Sequence, residues 1–387
     1  MNSFKRILII GTGPAALMAG TFLLEAGHEV IFYEQKKAAG RKFLVAGHGG
    51  FNLSNSIDQA AFLEMYDREE IREMVQAFGV DDLVRFLSRI GIPTYIGSSG
   101  KIFPEPHIKP IDVLNAWLDY LKQSGATFHF DCRMADFDAT TVKIMSGESI
   151  ITIPYDKLVL ALGGASWAKT GATGAWAALF REKGIDIIPF AASNAGFEIE
   201  LPEAVTLFQG QPIKHIVCRL GDKEKYGEIV LTEYGFEGAP VFYLNGAFRK
   251  GAHQLLIDAK PGFEVGKIMA VLKQAKNTTE GLKQLKIAKP LIAYIKQVLK
   301  KEEFLDLPIL GHFLKEIPFE VKALRPVEEA ISTVGGLPFE EVNSNLSLKK
   351  YPNIHCCGEM LDWDAPTGGY LLQACFASGA WVGKNIG

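Results

Sequence analysis

The sequence predicts an α/β protein with a parallel sheet, whose chain is interrupted by a β-rich part and a helical part. Three observations predict this arrangement. The chain opens with an apolar strand, a glycine turn, a helix and a second strand over residues 4–34. Apolar strands followed by glycine-rich loops return at 155–166 and 353–369. Short strands and then amphipathic helices occupy the sequence between these pieces. Continuous β-branched runs are typical of parallel strands that helices cover on both faces, so the outer pieces are predicted to share one sheet.

The composition is that of an ordinary globular protein. The 387 residues are 48% hydrophobic and 22% charged, with a formal net charge of −3, so the whole chain is not a basic nucleic-acid-binding protein. Its length allows two or three domains. Five cysteines without a CxxC pair argue against a disulfide framework and fit a reducing compartment. Because HExxH, GxSxG and Cys/His ligand sets are absent from the sequence, neither a metal site nor a serine hydrolase is predicted.

The apolar stretch "ILIIGTGPAALMAG" at residues 7–20 has two interpretations. Lys5 and Arg6 precede it, as basic residues precede the apolar core of a signal peptide. Two glycines and Pro14 interrupt the run, however, and no clean cleavage pattern follows. No later stretch is long and apolar enough to span a membrane. The sequence therefore predicts a cytoplasmic protein without a membrane span, and the stretch is interpreted as a strand, a turn and a helix.

The turn in this stretch has the pattern Gly-x-Gly-x-x-Ala, formed by Gly11, Gly13 and Ala16. Gly11 permits the tight turn, Gly13 lets backbone N–H groups approach a pyrophosphate, and Ala16 lets helix and strand pack closely. The second strand ends at Glu34, near the position where an acid accepts hydrogen bonds from ribose hydroxyl groups. A carboxylate there disfavours a 2′-phosphate, so the site is predicted to prefer FAD or NAD over NADP. The predicted contacts in this part are Gly11, Gly13, Pro14, Ala15, Ala16, Glu34 and Gln35.

A second glycine-rich and cationic loop, "GRKFLVAGHGGFNLSNS" at residues 40–56, follows directly. A plain NAD dehydrogenase does not need such a loop, whereas a longer dinucleotide that lies extended across the domain does. Arg41 and Lys42 are predicted to neutralise its phosphates, and the glycines let the backbone approach an isoalloxazine ring. The loop therefore favours FAD over NAD, with Arg41, Lys42, Gly49 and Asn52 as predicted contacts.

The far end of the chain supplies two more predicted cofactor loops. The stretch "YDKLVLALGGAS" at 155–166 is a buried strand that ends in two glycines. The C-terminal part predicts a strand at 353–357, a loop at 358–369 and a helix from about Tyr370. A helix N-terminus at the pyrimidine edge of a flavin would stabilise negative charge on the ring. The predicted contacts are Met134, Ala161, Gly163, Gly164, Gly358, Glu359, Gly368, Gly369, Tyr370 and Leu371.

The middle of the chain predicts an inserted β-rich domain and a helical domain. Turns and glycines separate short strands after residue 191. These predicted strands are "NAGFEIEL", "KHIVCRL", "GEIVLTEYG", "APVFYLNG" and "HQLLIDA". A β-like pattern resumes near residue 330. The predicted boundaries are 1–190 and 350–387 for the cofactor domain, 191–262 and 318–349 for the β-rich insert, and 263–317 for the helical domain.

The helical part is rich in lysine. From Lys267 to Lys301 there are nine lysines and one glutamate, Glu280. The simpler interpretation is a solvated helix face. The alternative is an electrostatic patch for nucleic acid, anionic lipid or a protein partner. Only isolated aromatic residues such as Tyr294 and Phe304 accompany the lysines, so base stacking is not favoured and nucleic acid is not the preferred partner.

Six stretches give the chain a family resemblance, in the same order from residue 7 to residue 379. They are "GTGPAA", "GRKFLVAGHGGFNLSN", "LALGGASWAKTGATG", "LTEYGFEGAPV", "TVGGL" and "CGEMLDWDAPTGGYLLQACFASG". These stretches resemble those of the bacterial BaiN-type flavoproteins, also called the aminoacetone-oxidase family of FAD-binding enzymes. The resemblance implies a two-piece Rossmann-like FAD-binding domain of the glutathione-reductase type, an inserted β-barrel-like domain and a small helical domain. The activity that it implies is either ene-type reduction or amine oxidation.

These features predict an FAD-dependent oxidoreductase that transfers a hydride at flavin N5 to or from a small organic substrate. The sequence has no second strand–GxGxxG–helix unit, so NAD(P)H would visit the flavin transiently, and O₂ is the other redox partner left open. His48 is a weak catalytic candidate because an imidazole titrates near neutrality. Asp362 and Asp364 are interpreted as residues that cap a helix or brace a loop rather than as groups that transfer a proton.

A second hypothesis comes from another class of protein. In it, the chain is a flavin-binding regulatory or RNA-associated protein, similar to tRNA-modifying flavoproteins, and uses the lysine-rich helical domain to bind its partner. The sequence leaves the substrate, the choice among NADH, NADPH and O₂, and the oligomeric state open.

Overall fold

A computed structural model describes residues 4–45, 50–97 and 99–386. The strands are β1 (Arg6–Ile10), β2 (Glu29–Tyr33), β3 (Ser54–Asn55), β4 (Thr94–Ile96), β5 (Lys101–Pro104), β6 (Thr127–His129), β7 (Cys132–Phe137), β8 (Thr141–Ser146), β9 (Ser149–Pro154), β10 (Lys157–Leu160), β11 (Ile188–Ser193), β12 (Phe197–Ile199), β13 (Pro212–Leu220), β14 (Lys223–Leu231), β15 (Gly235–Glu237), β16 (Gln254–Asp258), β17 (Ile317–Leu324), β18 (Ser332–Gly336) and β19 (Ile354–Cys356).

The helices are α1 (Pro14–Glu25), α2 (Arg41–Val45), α3 (Gln59–Leu63), α4 (Glu69–Ala77), α5 (Val80–Arg89), α6 (Pro110–Gln123), α7 (Trp176–Glu182), α8 (Glu203–Thr206), α9 (Ala239–Arg249), α10 (Val265–Gln274), α11 (Thr278–Gln284), α12 (Lys289–Val298), α13 (Lys301–Leu305), α14 (Leu307–Phe313) and α15 (Tyr370–Asn385). The chain forms two compact units. The first consists of Met1–Ala191 and Ser332–Gly387, and the second of Ala192–Ile331.

The first unit is built on a five-stranded parallel sheet within the described residues. Its strand order is β19-β10-β1-β2-β6. The strands are short and apolar, and all residues of β1 after its first are buried. Such runs are required where both faces of a parallel sheet are covered. The predicted α/β class with a Rossmann-type parallel sheet is confirmed, and ligands of such sheets bind beyond the carboxyl ends of the strands.

The helices α1 and α15 touch through their backbones. A Cβ on Gly379 would lie 2.2 Å from the carbonyl oxygen of Ala15, and one on Gly383 would lie 2.8 Å from that of Ala19. From the first contact to the second, the residue number rises by four in both helices, so the two helices run parallel. Because α15 begins nine residues before Gly379 and α1 begins one residue before Ala15, the N-terminus of α15 projects about 12 Å beyond that of α1.

Residues 332–349 belong to the first unit, whereas the sequence grouped them with the β-rich insert. The reason is their pairing with the C-terminal loop. The Leu337 N–H group donates to the carbonyl oxygen of Met360 at 2.8 Å, and Leu337 forms a β-bridge with Leu361. Apolar side chains of this stretch are buried in the core of the first unit.

The second unit contains a closed antiparallel barrel with the strand order β12-β15-β14-β13-β16-β17. The barrel that the resemblance implied is therefore confirmed. One predicted strand is wrong, because "APVFYLNG" forms most of α9. Pro240 lies in the first turn of this helix, where proline is tolerated, and the buried residues Val241, Leu244 and Asn245 follow helical spacing. The Asn245 side-chain oxygen accepts a hydrogen bond from the Ala195 N–H group at 2.8 Å, and its NH₂ group donates one to the Ala195 carbonyl oxygen at 3.0 Å.

Residues 263–317 form helices α10 to α14, as predicted, and they lie in the same compact unit as the barrel. Their apolar faces are buried in the core of that unit, with Ile268, Leu272, Leu291 and Ile295 as members. A separate helical domain stays a prediction. No helix in the described residues is both long and apolar enough to cross a bilayer.

His355 is a fully buried histidine on β19. Burial first, and then the nearby charges of Lys157 and Lys5, lower its pKa from 6.5 to about 3. The folded chain therefore keeps this imidazole neutral at pH values where the unfolded chain binds a proton.

Replacing Gly379 with alanine is expected to destabilise the protein by about 1–3 kcal/mol, because the new Cβ would overlap a backbone oxygen. Gly266→Ala in α10 is the matched control, since a Cβ there meets nothing within 4 Å and alanine favours a helix. Thermal unfolding followed by circular dichroism should show a lower midpoint for G379A alone. Equal midpoints in both variants would contradict the close contact between α1 and α15.

The free energy of unfolding is expected to fall as the pH drops from 7 to 5, because only the unfolded state protonates residue 355 in this window. At pH 5 the loss of stability that is due to His355 is about 2 kcal/mol. The reason is that pH 5 lies about 1.5 units below the pKa of the unfolded imidazole, and each unit corresponds to about 1.36 kcal/mol. His355→Leu should lose correspondingly less stability over the same window. Urea unfolding at both pH values measures the two losses, and identical losses would refute a neutral buried imidazole. His28, whose pKa is also lowered by burial, is present in both proteins and cancels.

Candidate active site

The glycine turn between β1 and α1 is closely packed at Gly11 and open at Gly13. Gly11 has φ of +105°, and a Cβ there would lie 2.4 Å from the carbonyl oxygen of Ala161, so only glycine fits. A Cβ on Gly13 would meet no atom within 4 Å. Gly13 precedes α1 and offers no side chain to cap the helix. This open helix start, with its N–H donors and positive dipole end, fits a pyrophosphate.

The Glu34 carboxylate is held in place by two donors. The hydroxyl of Thr12 donates to Oε2 at 2.6 Å, and the N–H group of Lys36 donates to Oε1 at 2.9 Å. Thr12 lies inside the glycine turn and is buried, so it fixes the acid relative to that turn. Each carboxylate oxygen keeps a further lone pair, which leaves Glu34 able to accept a ribose hydroxyl. Thr12 is a site residue that was not predicted from the sequence, although a hydroxyl within the glycine motif is a signal for it.

Of the two late loops, the C-terminal one contacts the first turn of α1, and the loop after β10 contacts the glycine turn that precedes this helix. A Cβ on Gly358 would lie 2.9 Å from the Cβ of Ala15, and the Gly358 N–H group donates to the hydroxyl of Ser378 at 3.0 Å. On the other side, the Ala161 N–H group donates to the carbonyl oxygen of Ile10 at 3.0 Å. The structure thus brings together Gly11, Ala15, Ala161 and Gly358, which belong to three separate predicted cofactor loops.

Lys42 is bound by protein groups. Its ammonium donates to the two oxygens of Glu359 at 2.9 and 2.6 Å and to the hydroxyl of Ser166 at 2.9 Å. The Glu359 carboxylate therefore already balances the charge that the sequence analysis assigned to the cofactor phosphates. Arg41, by contrast, is exposed at the start of α2. Lys42 ties α2 to the loops that follow β10 and β19, a role that the sequence did not indicate.

The second glycine loop and the C-terminal loop meet at the start of α15. A Cβ on Gly369 would lie within 2.6 Å of three backbone atoms of Ser54. With its amide oriented to satisfy both partners, Asn52 accepts from the Gly369 N–H group at 2.7 Å and donates to Gly50 at 3.2 Å. The Asn55 amide donates to the carbonyl oxygen of Gly368 at 3.3 Å. The residues predicted to face the isoalloxazine ring are therefore joined directly to each other.

The other residues that were predicted to contact the cofactor lie in several different segments of the first unit. Gln35 donates to the carbonyl oxygen of Gly171 at 2.9 Å, and the Gly163 carbonyl accepts from the indole of Trp176 at 2.9 Å. Met134 is half-buried on β7. A Cβ on Gly164 would lie 2.2 Å from the hydroxyl oxygen of Thr333.

At the start of α15, the Tyr370 carbonyl accepts from the hydroxyl of Tyr66 at 2.9 Å, and Leu371 is half-buried. His48, the weak catalytic candidate, and Gly49 lie outside the described residues. Their predicted roles remain predictions.

The aspartates of the C-terminal loop connect it to neighbouring loops. Asp362 binds the guanidinium of Arg68 and accepts from the Gly335 N–H group at 2.9 Å. The Asp364 N–H group donates to the carboxylate of Asp67 at 2.7 Å, and burial is the main cause that raises the pKa of Asp67. These contacts agree with the interpretation of both aspartates as bracing residues.

The cysteines are all unpaired. Burial is the main cause that raises the pKa of the Cys375 thiol to about 12 and that of Cys218 to about 12, so these thiols stay protonated near neutral pH. In the part of the chain that the structure describes, no group of three or more His, Cys, Asp or Glu residues could hold a metal ion.

The fold and the glycine turn fit a sequence comparison that covers nearly the whole chain. Residues 5–385 match the family described as HI0933-like protein Rossmann domain. The chain belongs to this family. The resemblance that the motifs indicated is confirmed, and with it an oxidoreductase enzyme class and FAD as cofactor.

Two curated relatives of this family member span almost the same length. The 3-dehydro-bile acid delta(4,6)-reductase of Clostridium scindens is 23% identical over 98% of this chain and 98% of its own. The ribosomal RNA dihydrouridine synthase of Escherichia coli is 22% identical over 99% of this chain and 97% of its own.

Solved structures show the same fold for this family member. A flavocytochrome c3 fumarate reductase has a TM-score of 0.56 at 14% identity, over 100% of this chain and 78% of that chain. The 3-ketosteroid-delta4-(5alpha)-dehydrogenase of Rhodococcus jostii RHA1 has a TM-score of 0.55 at 13% identity, over 100% and 97%.

Gly13→Val is expected to fold and to bind FAD at least about tenfold more weakly, a loss of about 1.4 kcal/mol. The reason is that a Cβ at this position meets no protein atom within 4 Å, so the new side chain enters the open space at the start of α1 where the pyrophosphate is expected. Gly262→Val is the matched control, since a Cβ there also meets nothing within 4 Å but lies in the second unit. Titration of the apoproteins with FAD measures both affinities. Unchanged FAD affinity in G13V would place the pyrophosphate elsewhere.

Proposed function

We propose that the chain is an FAD-dependent reductase that saturates a carbon–carbon double bond conjugated with a carbonyl group. FAD, when bound, exchanges a hydride with a reactant at its N5 atom. In the proposed reaction a hydride adds to the carbon beta to the carbonyl, a proton adds to the alpha carbon, and the double bond becomes single. Oxidation of NAD(P)H to NAD(P)⁺ supplies the electron pair. A cytoplasmic location, where NAD(P)H is available, belongs to the same proposal.

The observation that carries this proposal is the offset of about 12 Å between the starts of two parallel helices. The start of α1 suits a pyrophosphate, and the start of α15 lies farther along the same direction, joined to the second glycine loop. This spacing suits a dinucleotide with a five-carbon ribityl chain between pyrophosphate and ring. The positive end of α15 would favour negative charge on the ring, which suits an enzyme that receives electrons from NAD(P)H and passes them on.

The chemistry in the names of the two relatives supports the substrate class. One is named as a reductase of delta(4,6) double bonds in a 3-dehydro-bile acid, so those double bonds are conjugated with a 3-oxo group. The other is named for dihydrouridine, which forms when the C5–C6 double bond of uracil, conjugated with the C4 carbonyl, is saturated. Both named reactions therefore reduce a carbon–carbon double bond that is conjugated with a carbonyl group. Amine oxidation, the other activity that the resemblance implied, has no such support.

A second candidate function has the same reaction but a larger substrate. The RNA-associated hypothesis becomes compatible with the reductase if the conjugated double bond belongs to a uracil in RNA rather than to a free small molecule. One observation favours this candidate: the nine lysines between residues 267 and 301 are all exposed.

Anaerobic NADH or NADPH is expected to bleach the flavin absorbance of the purified yellow protein within seconds. A steroid 4-en-3-one or a uridine-containing RNA should then restore the absorbance, because either one accepts the hydride. The matched control is the corresponding saturated ketone, which lacks the double bond and should restore nothing. Bleaching by a primary amine, or recovery with neither unsaturated acceptor, would rule out the proposed reaction.

A further inference from the structure

Gln373 is a polar residue that is completely buried in the first unit. It is the fourth residue of α15, and its backbone N–H group donates to the carbonyl oxygen of Gly369 at 3.0 Å. A side-chain amide that is removed from water is tolerated where the protein supplies partners for both its oxygen and its NH₂ group. The partners of Gln373 therefore show what this residue holds together.

Both polar groups of the Gln373 amide are used, and they join α15 to two other segments. The side-chain oxygen accepts from the hydroxyl of Ser54 on β3 at 2.8 Å. The NH₂ group donates to the carbonyl oxygen of Phe78, which directly follows α4, at 2.9 Å. Because a carbonyl oxygen only accepts, the NH₂ group must face Phe78 and the side-chain oxygen must face Ser54. The orientation of the amide is thereby determined.

Ser54 is also completely buried, and its backbone lies against the start of α15. A Cβ on Gly369 would lie 2.5 Å from the Ser54 carbonyl oxygen, so the two backbones are in direct contact. Gln373 follows Gly369 by four residues and therefore lies on the same face of the helix, one turn further on. The backbone contact at Gly369 and the hydrogen bond to Gln373 together hold β3 against the first turn of α15.

Two other side chains connect the second glycine loop to the residues before this turn. Asn52 accepts from the Gly369 N–H group at 2.7 Å, and Asn55 donates to the carbonyl oxygen of Gly368 at 3.3 Å. The bond between Ser54 and Gln373 differs from these two because it reaches into the helix itself and joins two side chains that solvent does not contact. A hydrogen bond in such surroundings is strong, because water does not compete for its partners.

The distance between this loop and the start of α15 determines how strongly the helix acts on a ring that the loop holds. The positive end of a helix dipole acts mainly within the first turn, so a small separation weakens its effect. A reduced flavin ring that carries negative charge is stabilised by this positive end, whereas the neutral oxidised ring gains less. A close and fixed helix start therefore raises the reduction potential of a bound flavin.

We propose that Ser54 and Gln373 are positioning residues that set the reduction potential of the bound FAD, because they fix the second glycine loop against the first turn of α15. The place of the flavin ring at this turn rests on the proposed function, whereas FAD as the cofactor follows from the family. Loss of their hydrogen bond lets the loop and the helix start separate. Reduced FAD is then bound less tightly relative to oxidised FAD, and the potential falls.

The experiment measures the midpoint potential of the FAD-loaded full chain by anaerobic titration with dithionite in the presence of a reference dye. The variants are Ser54→Ala, Gln373→Leu and the double variant. The matched control is Thr21→Val in the second half of α1. The Thr21 hydroxyl is also buried and accepts from the indole of Trp117 at 3.0 Å, so each hydroxyl deletion breaks one buried bond between side chains. Thermal midpoint and flavin content check that every variant folds.

Gln373→Leu is expected to bind reduced FAD about tenfold less tightly relative to oxidised FAD, which lowers the two-electron potential by about 30 mV. Ser54→Ala removes only one bond and should change this ratio about threefold, or about 14 mV. The double variant should match Gln373→Leu, because the Ser54 hydroxyl acts through Gln373. Thr21→Val should lower the thermal midpoint as Ser54→Ala does but keep the native potential.

A native potential in Ser54→Ala would overturn the proposal, and this variant decides even if Gln373→Leu does not fold. A double variant whose shift is the sum of the single shifts, or an equal shift in Thr21→Val, would also overturn it. The titration needs no acceptor substrate, so its outcome is separable from that of the proposed reaction. A fall in potential supports the proposal even if no conjugated acceptor restores the flavin absorbance. Reduction of an enone together with native potentials in the variants overturns this proposal alone.

Discussion

The backbone contact between α1 and α15 sets the geometry on which the candidate site depends. Gly379 and Gly383 allow the C-terminal helix to lie against Ala15 and Ala19 of the first helix. Any side chain at these glycines would push α15 away from α1 and displace its start relative to the glycine turn. Since the start of each helix offers N–H donors and a positive dipole end, this contact fixes the spacing of two anion-stabilising points. Residues more than 350 positions apart thus contribute to one candidate site.

Other close backbone contacts extend the same constraint. Gly11 fits against the Ala161 carbonyl, and Gly369 fits against the backbone of Ser54. Each contact joins segments that are distant in sequence and leaves no room for a Cβ. Together they join four loops in two pairs: the glycine turn with the loop after β10, and the C-terminal loop with the second glycine loop. Gly13 is the exception, because the space beside it is open, and an open position within a tightly packed turn is what a bound phosphate requires.

Much of this arrangement could be predicted from the sequence. The β1–α1–β2 unit, Glu34 and the helix that begins at Tyr370 follow from periodicity, glycine positions and helix-start signals. The helix α9 could not, because "APVFYLNG" also satisfies a strand pattern, and only the burial of Asn245 against Ala195 decides between the two. The pairing of Lys42 with Glu359 was equally hidden, since its members are 317 positions apart and each alone suits a cofactor contact.

The pairing of Lys42 with Glu359 also bears on how the candidate cofactor site stabilises an anion. At the cofactor site the lysine charge is cancelled at 2.6 Å, so the positive potential there comes from helix starts and N–H groups whose geometry is fixed. Such donors act at short range and select for shape. A dinucleotide of defined shape suits such a site better than an extended polyanion does, because only a few fixed donors are offered to it.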